Sequence, residues 1–353
     1  MAATGSAPSP SKGKVLLTGG TGFIASHVLD CLLDHGFDVV VTARSAEKGQ
    51  RIVQSVDETV VKSDPPFDYV VHTASPYQLH WDDPVRDCLD PAIKGTTGIL
   101  RSIHAYAPNV KRVVITSSSA AILRPPNHPP VYDESSWSDV TWEQALDPAH
   151  TYRASKKFAE QAAWDFLSST TPPPSFTLAT INNSYTFGPI PRSLDSLDAL
   201  NTSNHRIRDL VLGRWRRQQS STSTTTTSGS VSGSDGGGIP PTSPVFTFVD
   251  VRDVALAHVR ALTVPAAGSK RFYVVGGYFS NAQIVGVVRK RFPALRDRLP
   301  GEDEEAAAED FPRDHWRFDN ARSREVLGLE YRGLEESVVD TVRSILAFQG
   351  AKE

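Results

Sequence analysis

Residues 14–36 read KVLLTGGTGFIASHVLDCLLDHG. Val15 to Leu17 form an apolar run that stops at glycines, as a short strand buried on both faces would. From Phe23 onward, Ile24, Val28, Cys31 and Leu32 recur at helical spacing, and Gly36 falls where a C-terminal cap belongs. Between strand and helix, Gly20, Gly22 and Ala25 fit the pattern G-x-G-x-x-[G/A], and Gly19, Gly22 and Ala25 fit a G-x-x-G-x-x-[G/A] variant. Glycines let the chain turn tightly and let a pyrophosphate come close to the backbone. The helix N-terminus behind them offers unpaired N–H groups and the positive end of a dipole. A strand–glycine–helix unit of this kind predicts a dinucleotide cradle built from Gly19, Gly20, Thr21, Gly22, Phe23 and Ile24.

Working outward, apolar runs in FDVVVTAR (37–44), FDYVVHTA (67–74), VKRVVITSS (110–118), FTLATINN (176–183) and KRFYVVGG (270–277) read as further buried strands. Helical patterns separate them, most strongly in HTYRASKKFAEQAAWDFLSST (150–170), which TPPP stops. Alternating strands and helices imply right-handed crossovers and a doubly wound parallel α/β sheet. Residues 13–190 and 246–276 are expected to form this nucleotide-binding part. Residues 191–245 and 277–353, mostly helical in pattern, are expected to form a smaller substrate cap. Residues 1–12 and the Ser/Thr/Gly-rich stretch 218–243 lack core-forming residues and are expected to be disordered.

Composition narrows the function. The 353 residues carry a net charge of −3, 39% hydrophobic and 22% charged residues, without the basic excess of a nucleic-acid or membrane-surface binder. No apolar run is long enough to span a bilayer, and the N-terminus lacks the apolar core of a signal peptide. Two cysteines, Cys31 and Cys88, give no disulfide framework, and no metal-ligand cluster is present. The expected setting is cytoplasmic, with a small-molecule substrate and neither nucleic acid nor membrane as partner.

The end of the second strand separates the two nicotinamide dinucleotides. NAD sites place an acidic residue there for the ribose 2′-OH. Here TARSAEK (42–48) offers Arg44 and Lys48, and Asp38 lies at the wrong end. A guanidinium can fork onto a 2′-phosphate, so NADP(H) is favoured.

The chemistry is expected from TYRASKK (151–157). Tyr152 and Lys156 are four apart and share a helix face. A carbonyl that accepts hydride also needs a proton, and a phenol with an ordinary pKa is a poor donor at neutral pH. A nearby ammonium favours the phenolate and lowers that pKa. Upstream, VVITSSSAA (113–121) places serines at the carboxyl end of a strand, where α/β sheets bind ligands, and a serine hydroxyl can hold the carbonyl oxygen.

These pieces, with DYVVHTASP, VYDESSWSD, LDALNTSN, VDVRDVALAHV and FDNARSREVLG, resemble the extended short-chain dehydrogenase/reductases across nearly the whole chain. The resemblance is to the branch of dihydroflavonol reductases and fungal NADPH-dependent aldehyde/ketone (methylglyoxal-type) reductases. It implies that Tyr152 is the proton donor, that Lys156 contacts the nicotinamide ribose, and that Ser118 is the catalytic serine, with Ser119 as its competitor. It also implies that Thr73, Ala74, Ser75 and Ser203 line or touch the cofactor. The implied activity is an NADPH-dependent ketoreductase acting as monomer or homodimer. The alternatives are a sugar-nucleotide or steroid-type dehydrogenase, and a catalytically impaired NADP-binding protein.

Three departures from the family pattern stand out. INNSYTFGP (181–189) has Asn183 and Ser184 where prolines are usual, which implies a more polar and adaptable loop. The stretch 218–243 is an unusual insertion. Between Arg44 and Phe67 lie 22 residues, where a helix, a strand and a second helix would need over ~30. The third strand is therefore expected to be shortened or missing.

Overall fold

The computed structural model describes residues 11–43, 45, 66–76, 81–216, 238–242, 245–307 and 314–350. Expectations for residues 1–10, for the third strand between 46 and 65, for most of the 218–243 stretch, and for Arg44 and Lys48 lie outside the described residues.

The glycine-flanked opening folds as its pattern predicts. Strand β1 (Lys14–Thr18) leads through the glycine turn into helix α1 (Phe23–Asp34). Gly36, at φ +78°, closes α1, with Gly36 N–H donating to Leu33 O and Phe37 N–H to Leu32 O. Then come β2 (Asp38–Val41), β3 (Tyr69–His72), a π-helical turn Val85–Leu89 running into α2 (Asp90–Tyr106), and β4 (Arg112–Thr116). A short β5 (Val131–Tyr132) precedes α3 (Pro148–Ser169). Asp147 caps α3 by accepting from Ala149 N–H at 2.9 Å, and Pro148 sits in the first turn, where its missing N–H costs nothing. Strands β6 (Thr177–Asn183) and β7 (Tyr185–Phe187), helix α4 (Thr202–Val211), β8 (Thr247–Asp250), α5 (Val251–Thr263) and β9 (Lys270–Val274) follow. The chain ends through β10 (Gly277–Tyr278), α6 (Asn281–Arg291), α7 (Glu302–Ala307), β11 (Arg317–Phe318), α8 (Ala321–Leu327) and α9 (Leu334–Gly350).

Six strands form one parallel sheet in the order β2-β1-β3-β4-β6-β9. The order reverses direction at β1/β3, which leaves a crevice above the carboxyl ends of these strands. Alternate strand residues face opposite sides. Val71 and Val114 join Val28, Leu32 and Val254 under α1 and α5, while Val70, Val113 and Ile115 join Leu100, Ile103 and Ala163 under α2 and α3. Burial on both faces is why these strands read as continuous apolar runs.

A separate cluster of Phe187, Ile207, Leu210, Phe248, Phe279, Ile284, Val338 and Val342 packs α4, α6 and α9 together. Beside it, β8 pairs with β7 and β10 in a second, three-stranded sheet rather than extending the first.

Three expectations need correction. The helical pattern of LDSLDALNTSNHRIRDLVLGRWRR (194–217) shrinks, among the described residues, to a 3-10 turn at Leu197–Ala199 and the ten-residue α4, because Leu200 and Asn201 run extended. Residues 238–242, expected to be disordered, are packed. Gly238 N–H donates to Trp215 O, and Thr242 Oγ1 accepts from Asn281 N–H at 2.9 Å. Lys12 is also placed, its N–H donating to Gly36 O.

Candidate active site

The glycine turn is built by backbone necessity. Gly19 has φ +71°, and a Cβ on it would lie 2.9 Å from both the N and Cα of Ala74. That contact brings the β1–α1 loop flush against the loop after β3. Thr73 Oγ1 donates to Thr18 O at 2.6 Å, and Thr18 Oγ1 shares a 2.8 Å hydrogen bond with His72 Nδ1. Thr73 and Ala74 therefore stand beside the glycines. Gly20 N–H donates to Thr42 O at 3.1 Å. Gly22 begins α1 without any side-chain cap, and Thr21, Phe23 and Ile24 are half-buried around that helix end. A close-packed glycine turn feeding an uncapped helix N-terminus fits a dinucleotide pyrophosphate.

On α3, Lys156 reaches back across the crevice. Its Nζ donates to Ser75 Oγ at 2.9 Å and lies 5.7 Å from the centroid of the Tyr152 ring. Ser75, Lys156 and Tyr152 are thus one connected group. Lys156 is half-buried, and burial pulls its pKa down to about 8. Burial, aided by the Lys156 charge, drops His72 to about 4, so this imidazole is neutral at physiological pH.

Ser118 lies just past β4 at the same edge of the sheet. It caps the 3-10 turn Ser119–Ala121, its Oγ accepting from Ala120 N–H at 3.1 Å. Ser118 and Ser119 are both buried, and helix α3 packs on this turn. Ser203 stands in the first turn of α4, where its Oγ accepts from Thr186 N–H at 3.3 Å; this ties α4 to β7. The polar loop at Asn183 and Ser184 is tethered rather than loose. Asn183 Nδ2 donates to Thr186 Oγ1 at 3.0 Å, and Ser184 Oγ donates to Thr247 Oγ1 at 2.9 Å.

Glu160 is the residue that the sequence reading passed over. It lies one turn beyond Lys156 and is buried. One carboxylate oxygen accepts from Arg271 Nε at 2.7 Å and Thr180 Oγ1 at 2.9 Å. The other accepts from Ser117 Oγ at 2.5 Å and Asn182 Nδ2 at 2.7 Å. Asn182 Nδ2 also reaches Ser118 O at 3.3 Å. The carboxylate therefore fastens α3 to the ends of β4 and β6, directly beneath the serine turn. The signal was present as a third member of the four-residue spacing, Tyr152, Lys156, Glu160.

The profile of the NAD dependent epimerase/dehydratase family matches residues 15–276. The chain belongs to that family. It is 49% identical to the ketoreductase azaE of Aspergillus niger, covering 94% of this chain and 97% of that protein. It is 32% identical to the NADPH-dependent methylglyoxal reductase GRE2 of Saccharomyces cerevisiae, covering 95% and 99%. Among solved structures, it superposes on the yeast methylglyoxal/isovaleraldehyde reductase Gre2 complexed with NADPH, with a TM-score of 0.80, 31% identity, and coverage of 96% and 99%. Within the family, the chain groups with extended short-chain reductases of this kind.

Proposed function

We propose that the protein is an NADPH-dependent carbonyl reductase that converts a ketone or aldehyde to an alcohol. The observation that carries this reading is the connected group of Ser75, Lys156 and Tyr152 beside the glycine cradle. The family relatives, and the NADPH-bound yeast reductase among them, support it. We assign the cradle Gly19, Gly20, Thr21, Gly22, Phe23 and Ile24 to the pyrophosphate side of the cofactor, with Thr73, Ala74, Ser75, Lys156 and Ser203 along it and Arg44 and Lys48 at the 2′-phosphate.

When bound, NADPH supplies the hydride for the carbonyl carbon. Tyr152 gives its phenolic proton to the carbonyl oxygen, which completes the alcohol, and regains a proton from solvent. Lys156, with a pKa of about 8, is mostly ammonium at neutral pH, and that charge favours the tyrosinate left behind. Ser118 holds the carbonyl oxygen in line with the phenol. Residues 191–245 and 277–353 form the substrate cap over the nucleotide-binding part at 13–190 and 246–276. The protein works in the cytosol as a monomer or homodimer. Among the described residues no helix is long and apolar enough to cross a membrane.

The test is Tyr152→Phe. NADPH binding, followed by fluorescence titration, is expected to stay close to that of the unaltered protein. Turnover, followed by NADPH absorbance with a panel of ketones and aldehydes, is expected to fall by about a hundredfold or more. Full turnover in this variant would sink the mechanism.

A further inference from the structure

Helix α4 carries Arg206 one turn after Ser203, and its setting differs from that of the arginines around it. Arg208 is paired with Asp209 at 2.8 Å and Asp198 at 3.5 Å, Arg214 with Asp209 at 2.8 Å, and Arg252 with Asp250 at 2.8 Å. Among the described residues no carboxylate lies within ion-pair distance of Arg206; its one hydrogen bond runs from Nη1 to Asn281 Oδ1, at 3.1 Å. Asn281 is fully buried and its amide is pinned, since Nδ2 donates to Pro240 O at 2.7 Å and Pro241 O at 3.3 Å. Among the described residues, the guanidinium is oriented from one side and the remaining donors of its fork have no hydrogen-bond partner. It lies 5.3 Å from the ring centroid of Tyr185 and 5.9 Å from that of Phe279. The two rings meet edge to face at 6.0 Å.

This cation stands at the catalytic edge of the sheet. Tyr185 comes three residues after Asn182, whose side chain reaches Ser118 O at 3.3 Å. Ser203 ties the same helix to Thr186, the neighbour of Tyr185. The glycine cradle belongs to β1, which is separated from β6 by β3 and β4. Three strand spacings of ~4.8 Å put about 14 Å between β1 and β6.

We propose that Arg206, backed by Tyr185, is a specificity-determining residue that selects carbonyl substrates bearing a carboxylate or an equally acidic oxygen. The proposal rests on the reductase reading above. An arginine held on an aromatic platform and turned by a single neutral partner keeps its charge and its planar fork ready for an anionic group, which it can grip through two parallel N–H···O bonds. Were its role only to hold the cap together, the chain would be expected to offer it a carboxylate, as it does for Arg208 and Arg252.

The experiment compares the unaltered protein, Arg206→Met and Arg206→Lys with NADPH on matched acids and esters: acetoacetate against methyl acetoacetate, and levulinate against methyl levulinate. The readout is the acid-to-ester ratio of kcat/KM, which cancels general losses of activity. Arg206→Met is expected to lower the ratio by about tenfold or more, the worth of one charge-assisted hydrogen bond. Arg206→Lys, with the charge but not the fork, is expected to fall between. An unchanged ratio in Arg206→Met, with the unaltered protein active, overturns the assignment of Arg206 and leaves the reductase reading standing. No turnover of either acid by an unaltered protein that reduces other ketones or aldehydes overturns the assignment of Arg206 alone, and no turnover of any ketone or aldehyde overturns both. Should Arg206→Met fail to fold, salt decides on the unaltered protein. KM for the acids is expected to rise with ionic strength while that for the esters does not, and equal responses would overturn the proposal.

Discussion

Gly19 shows how a single backbone angle sets the turn between β1 and α1. Its φ of +71° is unfavourable for any residue with a Cβ, and the space a Cβ would fill is occupied by the Ala74 backbone at 2.9 Å. Gly19→Ala is expected to cost about 1–2 kcal/mol from the left-handed conformation alone, read as a lower urea midpoint. The displaced loop at Thr73 and Ala74 should weaken NADPH binding in a fluorescence titration even where the variant is folded. Unchanged affinity would detach this turn from the cofactor. Residues such as Gly19, Tyr152 and Lys156 were legible because their spacing along the chain mirrors the geometry they need. Ser75 is different in kind. Its contact with Lys156 spans 81 positions, and only the family resemblance had pointed to it. Arg206 had no local signal, since its partners Asn281 and Tyr185 lie far away in the sequence.

At the scale of the element, helix α3 organises the catalytic edge. Its four-residue rhythm presents Tyr152 and Lys156 toward the crevice and buries Glu160 against the sheet. Arg271 on β9 is itself buried, and its guanidinium stacks 3.7 Å from the Trp137 ring centroid. Removing one charge of such a pair leaves the other uncompensated. Glu160→Gln is therefore expected to lower stability by about 3 kcal/mol in urea unfolding. Glutamine keeps a single acceptor oxygen, so either Ser117 and Asn182 or Arg271 and Thr180 would lose theirs, and turnover should drop more than stability under native conditions would explain. A variant with unaltered stability would show that the pair is dispensable. The helix was readable from its apolar face and its stop at TPPP. Glu160 shared the four-residue spacing, but a glutamate on a helix reads as a solvated residue until a strand is laid over it.

Across the whole molecule, helix α5 is tied to the C-terminal segment by charge. Arg252 at the start of α5 bridges Asp250 and Asp340 of α9, each at 2.8 Å, and Arg332 pairs with the buried Asp253. The central sheet is meanwhile lined by neutral imidazoles. Burial holds His72 on β3 and His258 on α5 each at about 4, from an ordinary value of 6.5. His258 Nε2 shares a 2.7 Å hydrogen bond with Thr116 Oγ1 and Nδ1 one of 2.7 Å with Val254 O. Below pH 6.5 the unfolded chain takes up protons that the folded one refuses, so this stability is present above 6.5 and is lost as pH falls toward 4. Each histidine contributes on the order of 3 kcal/mol at most. Tm is expected to fall steeply between pH 6.5 and 4, and less so in His258→Asn. An equal slope in that variant would remove His258 from the account.

The sequence by itself determined the strand and helix order, the glycine turn and the Tyr152–Lys156 pair, because each depends on neighbours within a few residues. Apolar runs must be buried, and only glycine takes the turn at residue 19 without strain. The tertiary structure decided what those rules leave open. It put β8 in a second sheet, packed residues 238–242 against Asn281, clamped the serine turn with Glu160, and set Arg206 over Tyr185. Each of these joins residues far apart in sequence, and a charge or hydrogen-bonding group acquires its role only from whatever the fold brings against it.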